Sequence, residues 1–159
     1  MARHREKKGE FMRKLLSILL VLIAIFALTA CDASAAIKDG TYRAEFDTYD
    51  TYGYKDFVEI KFENGTVTEV TMDAMSEEDG SLKSESNEYR ESMEGISGTY
   101  PAKYYQDLIN QYIESGDSSG VLVVAGATST SNSILKLLTA LETELKAGTY
   151  QGTVLVPRD

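Results

Sequence analysis

The densest chemistry in this chain is a six-residue run, Gly126-Ala127-Thr128-Ser129-Thr130-Ser131. Small residues let backbone approach a ligand closely, and consecutive hydroxyls add donors. An apolar run, Val121 to Ala125, leads into it, is bounded by glycines and predicts a buried strand. A helix follows, predicted from about Asn132 to Lys146, with Ile134, Leu137, Leu138, Leu141 and Leu145 as its apolar stripe. Strand, loop and helix start together make an anion site, because unpaired amides of the first turn point outward and the helix dipole favours negative charge. The competing reading is ordinary capping of that helix by Ser131 or Asn132. Other chemistry is scarce. His4 is the only histidine and lies in a polar leader, so Ser-His-Asp and Cys-His catalysis and His-ligated metals are not expected in the rest of the chain. Glu77-Glu78-Asp79-Gly80 lacks EF-hand spacing and reads as solvated charge, so no metal site is expected. Tyr49, Tyr52 and Tyr54 cluster at one turn, and Tyr100, Tyr104 and Tyr105 cluster around a helix start. Such rings can stack on a flat ligand, although packing roles are commoner.

The elements that must position this run are legible from periodicity. Tyr42, Ala44 and Phe46 alternate with Arg43, Glu45 and Asp47, which predicts a half-buried strand over 41–48. Val58, Ile60 and Phe62 point inward from a second strand over 57–63, and Asn64-Gly65 turns it into a third over 66–73. Residues 75–99 are acidic, polar and rich in Gly and Ser, and predict a long loop. Pro101 opens a helix whose face is Tyr105, Leu108, Ile109, Tyr112 and Ile113, ended near Gly116. Gly148 caps the second helix, and Thr149 to Val156 reads as a last strand. Lys38-Asp39-Gly40-Thr41-Tyr42 echoes Lys146-Ala147-Gly148-Thr149-Tyr150, which reads as two similar strand entries. The fold class is therefore α+β, an antiparallel sheet with two helices.

The chain has 159 residues, a net charge of -9 and one cysteine, Cys31. One cysteine excludes an internal disulfide and a cysteine-based zinc site. Met12-Arg13-Lys14 offers a second translation start, and the apolar run Leu15 to Ala27 ends in Leu28-Thr29-Ala30-Cys31. A basic region, an apolar region and a small-residue cleavage site make a secretory signal peptide. The Leu-Thr-Ala-Cys ending resembles a bacterial lipobox, which implies that Cys31 is lipidated and becomes the first mature residue. The expected organisation is a signal peptide over 1–30, a lipid-anchored tether over 31–37 and one domain over 38–159. Residues 31–159 carry 10 Lys and Arg against 23 Asp and Glu, a net charge of -13. That balance argues against nucleic-acid binding, which needs a basic face, and keeps the domain off anionic head groups.

In this setting Gly126-Ala127-Thr128-Ser129-Thr130-Ser131 resembles the signature of the FMN-binding domain family, which includes the C subunit of the sodium-pumping NADH:quinone oxidoreductase, the G subunit of the Rnf complex and many small lipoproteins. Asp39-Gly40-Thr41-Tyr42, the Asn64-Gly65 hairpin and the helix before the motif extend the likeness over about 38–146. The resemblance implies FMN as cofactor, held by residues 126–131, with its phosphate attached to the Thr128 hydroxyl by a flavin transferase. It also implies electrons relayed from a membrane reductase at the extracytoplasmic face, by a flavin carrier rather than an enzyme in its own right. The family's attachment sequence has an acidic residue three before the glycine and Ser or Thr immediately before it. Here those positions are Val123 and Ala125, so covalent and non-covalent FMN both stay open. Some lipoproteins of this family are sex-pheromone precursors, and Ala24 to Ala30 resembles such a heptapeptide. A surface adhesin using the acidic stretch 75–99 is a third reading.

Overall fold

The computed structural model describes residues 37–158. The leader, Cys31 and the rest of the tether up to residue 36 lie outside the described residues. Ile37, the last residue of the expected tether, already packs against the core.

Period-two alternation builds the sheet as read. Strands β1 (Gly40–Phe46), β2 (Tyr54–Glu63) and β3 (Thr66–Ser76) form an antiparallel meander. Asn64 and Gly65 have φ of 53° and 72°, the positive values that a two-residue hairpin needs. Ala44 stands opposite Val58, and Val58 opposite Met72, so one parity of residues meets the helices. The other parity carries an ion ladder, with Glu45 between Arg43 at 2.9 Å and Lys55 at 2.7 Å. Parity also puts Asp56 on the core face, two residues before Val58, and it is buried there.

Helix α1 (Asn87–Ser97) and the 3-10 turn Lys83–Glu85 occupy the stretch expected to be a loop. The expectation fails because α1 buries none of its residues, so no apolar stripe marks it. Its signals are the Ser86 side chain, which accepts from the Tyr89 amide at its start, and Gly98 at its end. Helix α2 (Pro101–Ser115) starts and stops as predicted, but its buried face includes Tyr104, while Ile113 is exposed.

Helix α3 (Thr128–Ala147) starts four residues before the predicted Asn132. Ile134, Leu137, Leu138 and Leu141 are fully buried, and each contributes about 1.5–3 kcal/mol by leaving water. The expected strand over 121–125 is absent: the segment is irregular, Val121 is buried, and Leu122 is 69% exposed. A short apolar run between glycines does not reveal whether sheet partners exist. The last strand shrinks to β4 (Val154–Val156), which pairs parallel to β1, so the sheet is mixed, in the order β3-β2-β1-β4. The two echoing segments differ as well: Gly40 opens β1, whereas Gly148 caps α3. Their tyrosines, Tyr42 and Tyr150, meet edge to face at 4.9 Å. The architecture is α+β: among the described residues there are three α-helices rather than two, with α2 and α3 against a mostly antiparallel sheet. Among the described residues, no helix is long and apolar enough to cross a membrane.

Candidate functional site

The start of α3 forms one wall of a cleft of about 390 Å³. Gly126 has φ 80°, a left-handed value, and its backbone lies against the end of α1; a Cβ there would stand 2.6 Å from the Ser97 carbonyl oxygen. Ala127 is the N-cap and has no side chain with which to cap. The amide of Ser131 is bonded to the Ala127 carbonyl, but the amides of Thr128, Ser129 and Thr130 have no acceptor among the described residues. They remain open where the helix dipole is positive. Thr128, Ser129 and Thr130 line the cleft.

Ser131 does not belong to that lining, and neither it nor Asn132 is a cap. Ser131 lies in the first turn of α3, fully buried. Its hydroxyl donates to the Ala127 carbonyl at 2.9 Å and accepts from the Val124 amide at 3.1 Å. It ties the incoming segment to the helix. Ser131→Ala leaves the Val124 amide without that acceptor and is expected to lower stability by about 1–3 kcal/mol, measured by denaturant unfolding.

The opposite wall comes from residues that the motif does not contain. Asp56 accepts from the Tyr105 hydroxyl at 3.2 Å and from the Arg158 guanidinium at 3.3 Å. Burial pushes its carboxyl above the usual aspartate value, and Arg158 and Lys83 draw it back. Arg158 also lies 4.0 Å from the centre of the Phe46 ring. Asp50 accepts from the amides of Tyr52 at 2.8 Å and Tyr54 at 2.9 Å, a turn that leaves Tyr52 at the cleft, 75% exposed.

Lys83 is the least expected member. It is 7% exposed, yet it lines the cleft. Its ammonium lies over the rings of Tyr89 at 4.4 Å and Tyr54 at 4.9 Å, and it makes no hydrogen bond or ion pair among the described residues. Burial lowers its pKa, opposed by the charges of Asp56, Asp50 and Asp73.

The turn carrying Lys83 is held by Asp73, whose Oδ1 accepts from the amides of Ala74 at 2.8 Å and Ser84 at 3.1 Å. Burial raises the Asp73 pKa above the ordinary value. The folded state therefore binds that proton more tightly than the unfolded state. This contribution is fully present below the unfolded pKa and is lost as pH rises through the folded one. Asp73→Asn keeps the acceptor and removes the charge. It is expected to stabilise the domain by about 1 kcal/mol at pH 8 and to change nothing at pH 3, read from melting curves at both.

The site therefore combines three open amides, hydroxyls and a buried cation with aromatic rings in a volume suited to a small ligand. That donor set fits a phosphate joined to a flat ring. The sequence model described as the FMN-binding domain matches residues 52–141. The chain belongs to the FMN-binding domain family. FMN is the cofactor of this FMN-binding domain. Among relatives, the "15 kDa lipoprotein" of Treponema pallidum (strain Nichols) is 35% identical over 127 residues, 80% of this chain and 89% of that protein. The crystal structure of a Clostridium perfringens protein is 35% identical with a TM-score of 0.70, and the match covers 77% of this chain and 99% of that one.

The motif was legible, but Lys83, Asp56 and Arg158 were not singled out. Asp56 left one readable signal, a carboxylate at a core-facing position of an alternating strand. Among the two tyrosine clusters, Tyr52 and Tyr104 reach the cleft, whereas Tyr105 serves Asp56 from the core.

Proposed function

We propose that this FMN-binding domain is a lipoprotein, anchored through Cys31 at the extracytoplasmic face of the membrane, that carries FMN for electron transfer. The observation that carries the flavin part is the uncapped start of α3 facing a buried cation across one cleft. The flavin supplies the electron chemistry when bound. The protein's own residues bind and orient it. The amides of Thr128, Ser129 and Thr130 donate to phosphate oxygens, and Gly126 lets the backbone before them pack against the end of α1. Tyr52 offers an exposed ring face at the cleft for the flat part of the cofactor.

The lipid anchor rests on Leu28-Thr29-Ala30-Cys31 and on the lipoprotein named among the relatives. A net charge of -13 over residues 31–159 fits a domain tethered beside an anionic surface without adhering to it. A membrane reductase as donor and a flavin transferase as modifying enzyme complete the reading. Thr128 is exposed at the first helical position, within reach of a transferase, and Val123 and Ala125 stand where the family's attachment sequence has other residues.

The test is protein made with and without a flavin transferase, examined by visible absorbance, FMN titration and intact mass. A yellow protein is expected in at least one preparation, with a diacylglyceryl-sized mass increment on Cys31 in protein from membranes. A flavin increment that is abolished by Thr128→Ala marks covalent attachment; dissociable FMN at unmodified mass marks non-covalent binding. Colourless protein in both preparations, with no response to added FMN, removes the flavin carrier reading.

A further inference from the structure

Lysine is rarely buried without a partner, because taking an ammonium out of water is costly unless hydrogen bonds replace the lost water. Lys83 is 7% exposed; two tyrosine faces lie against its ammonium, the charges of Asp56, Asp50 and Asp73 act on it through space, and among the described residues it makes no hydrogen bond or ion pair. Its backbone is not free to relax, since Asp73 clamps the Ser84 amide. A group held this way has unused donors aimed into the cleft, and the ligand must supply the acceptors. The phosphate already has the start of α3, on the other wall. What remains of FMN is the ring, whose pyrimidine edge carries carbonyl oxygens and the negative charge that reduction adds.

We propose that Lys83 is a potential-setting residue, whose ammonium donates to the pyrimidine edge of the FMN ring and favours the reduced form. The inference rests on the cleft being the FMN site. Two electrons and one proton convert the neutral oxidised ring into a ring with one negative charge, and in the test below dithionite gives the electrons. A fixed cation beside that edge binds the charged ring more tightly than the neutral one. The midpoint potential therefore rises. Lys83 contributes little to binding the oxidised cofactor, which meets it with carbonyl oxygens alone.

The experiment measures the midpoint potential of the FMN-loaded protein by dithionite titration against reference dyes, for the wild type, K83M and K83R. K83M is expected to weaken the reduced form about tenfold relative to the oxidised form, the scale of one charge-assisted hydrogen bond. For a two-electron couple that tenfold change is about 30 mV toward negative potential. K83R keeps the charge and is expected to stay nearer the wild type than K83M. FMN-free K83M is expected to melt at or above the wild-type temperature, because the substitution removes a buried ammonium and keeps an unbranched chain. Wild-type protein that takes up no FMN overturns the flavin reading, and this inference with it. Wild-type protein that binds FMN, with K83M at an unchanged potential, overturns the role of Lys83 alone. K83M that weakens both redox forms equally makes Lys83 a phosphate ligand and overturns the ring assignment. K83M that does not fold makes it a structural residue and does the same.

Discussion

Gly126→Ala is expected to abolish FMN binding and to destabilise the domain by about 2–4 kcal/mol. Two independent costs meet at this position. The backbone is left-handed, at φ 80°, where a non-glycine residue is strained. The new Cβ would also stand 2.6 Å from the Ser97 carbonyl oxygen and 3.0 Å from Thr99 Cγ2. The Ser97 contact is with backbone at the end of α1, so no side-chain rotation relieves it. Either Gly126 moves away from α1 or α1 moves away from α3. In both cases the amides of Thr128, Ser129 and Thr130 shift relative to the wall that carries Lys83. Denaturant unfolding reads the first effect and FMN titration the second. Native stability with native FMN affinity would show that the loop tolerates a side chain and that its close approach to α1 is not needed.

Ser129→Glu is expected to act in opposite directions on folding and on ligand. Ala127 leaves the start of α3 without a side-chain cap, and its first turn holds no acidic residue. A carboxylate in that turn therefore interacts favourably with the dipole and the open amides. The FMN-free protein should gain about 0.5 kcal/mol. The same carboxylate occupies the amides suited to the phosphate and repels it. Losing two charge-assisted hydrogen bonds, at about 1.5 kcal/mol each, weakens FMN roughly a hundredfold. A melting temperature that rises while FMN affinity collapses separates a binding role for the helix start from a merely structural one. Equal FMN affinity in Ser129→Glu and wild type would place the phosphate elsewhere.

The missing cap makes these two predictions coherent. A helix start with an Ser, Thr or Asp cap satisfies its own amides. This one has alanine at the cap and its hydroxyl residues directly after it, in the first turn, where Thr128, Ser129 and Thr130 face the cleft. Ser131, the fourth hydroxyl of the run, has a different duty. It holds the Val124 amide and the Ala127 carbonyl, and so keeps the incoming segment where Gly126 can touch α1. In the sequence the four hydroxyls look equivalent. Helical geometry separates them, because Ser131 lies three residues before Ile134 and seven before Leu138 and so falls on their buried face.

Sequence alone determined what depends on local periodicity and local backbone chemistry. Alternation set the faces of β1, β2 and β3, and Asn64-Gly65 set their hairpin, because strand parity and positive φ are properties of a few consecutive residues. The apolar stripes of α2 and α3 and the motif between them were legible for the same reason. Tertiary structure decided the rest. It turned the acidic stretch into α1, a helix that buries nothing of its own and instead brings Ser97 against Gly126 and Tyr89 against Lys83. It left Val121 to Ala125 without a sheet partner and paired β4 parallel to β1. It gathered Asp56, Lys83 and Arg158, which lie in three separate segments, onto the wall facing α3. No local pattern encodes that wall. Burial and charge at a residue such as Lys83 are set by which distant segments cover it, and only the folded chain brings those segments together.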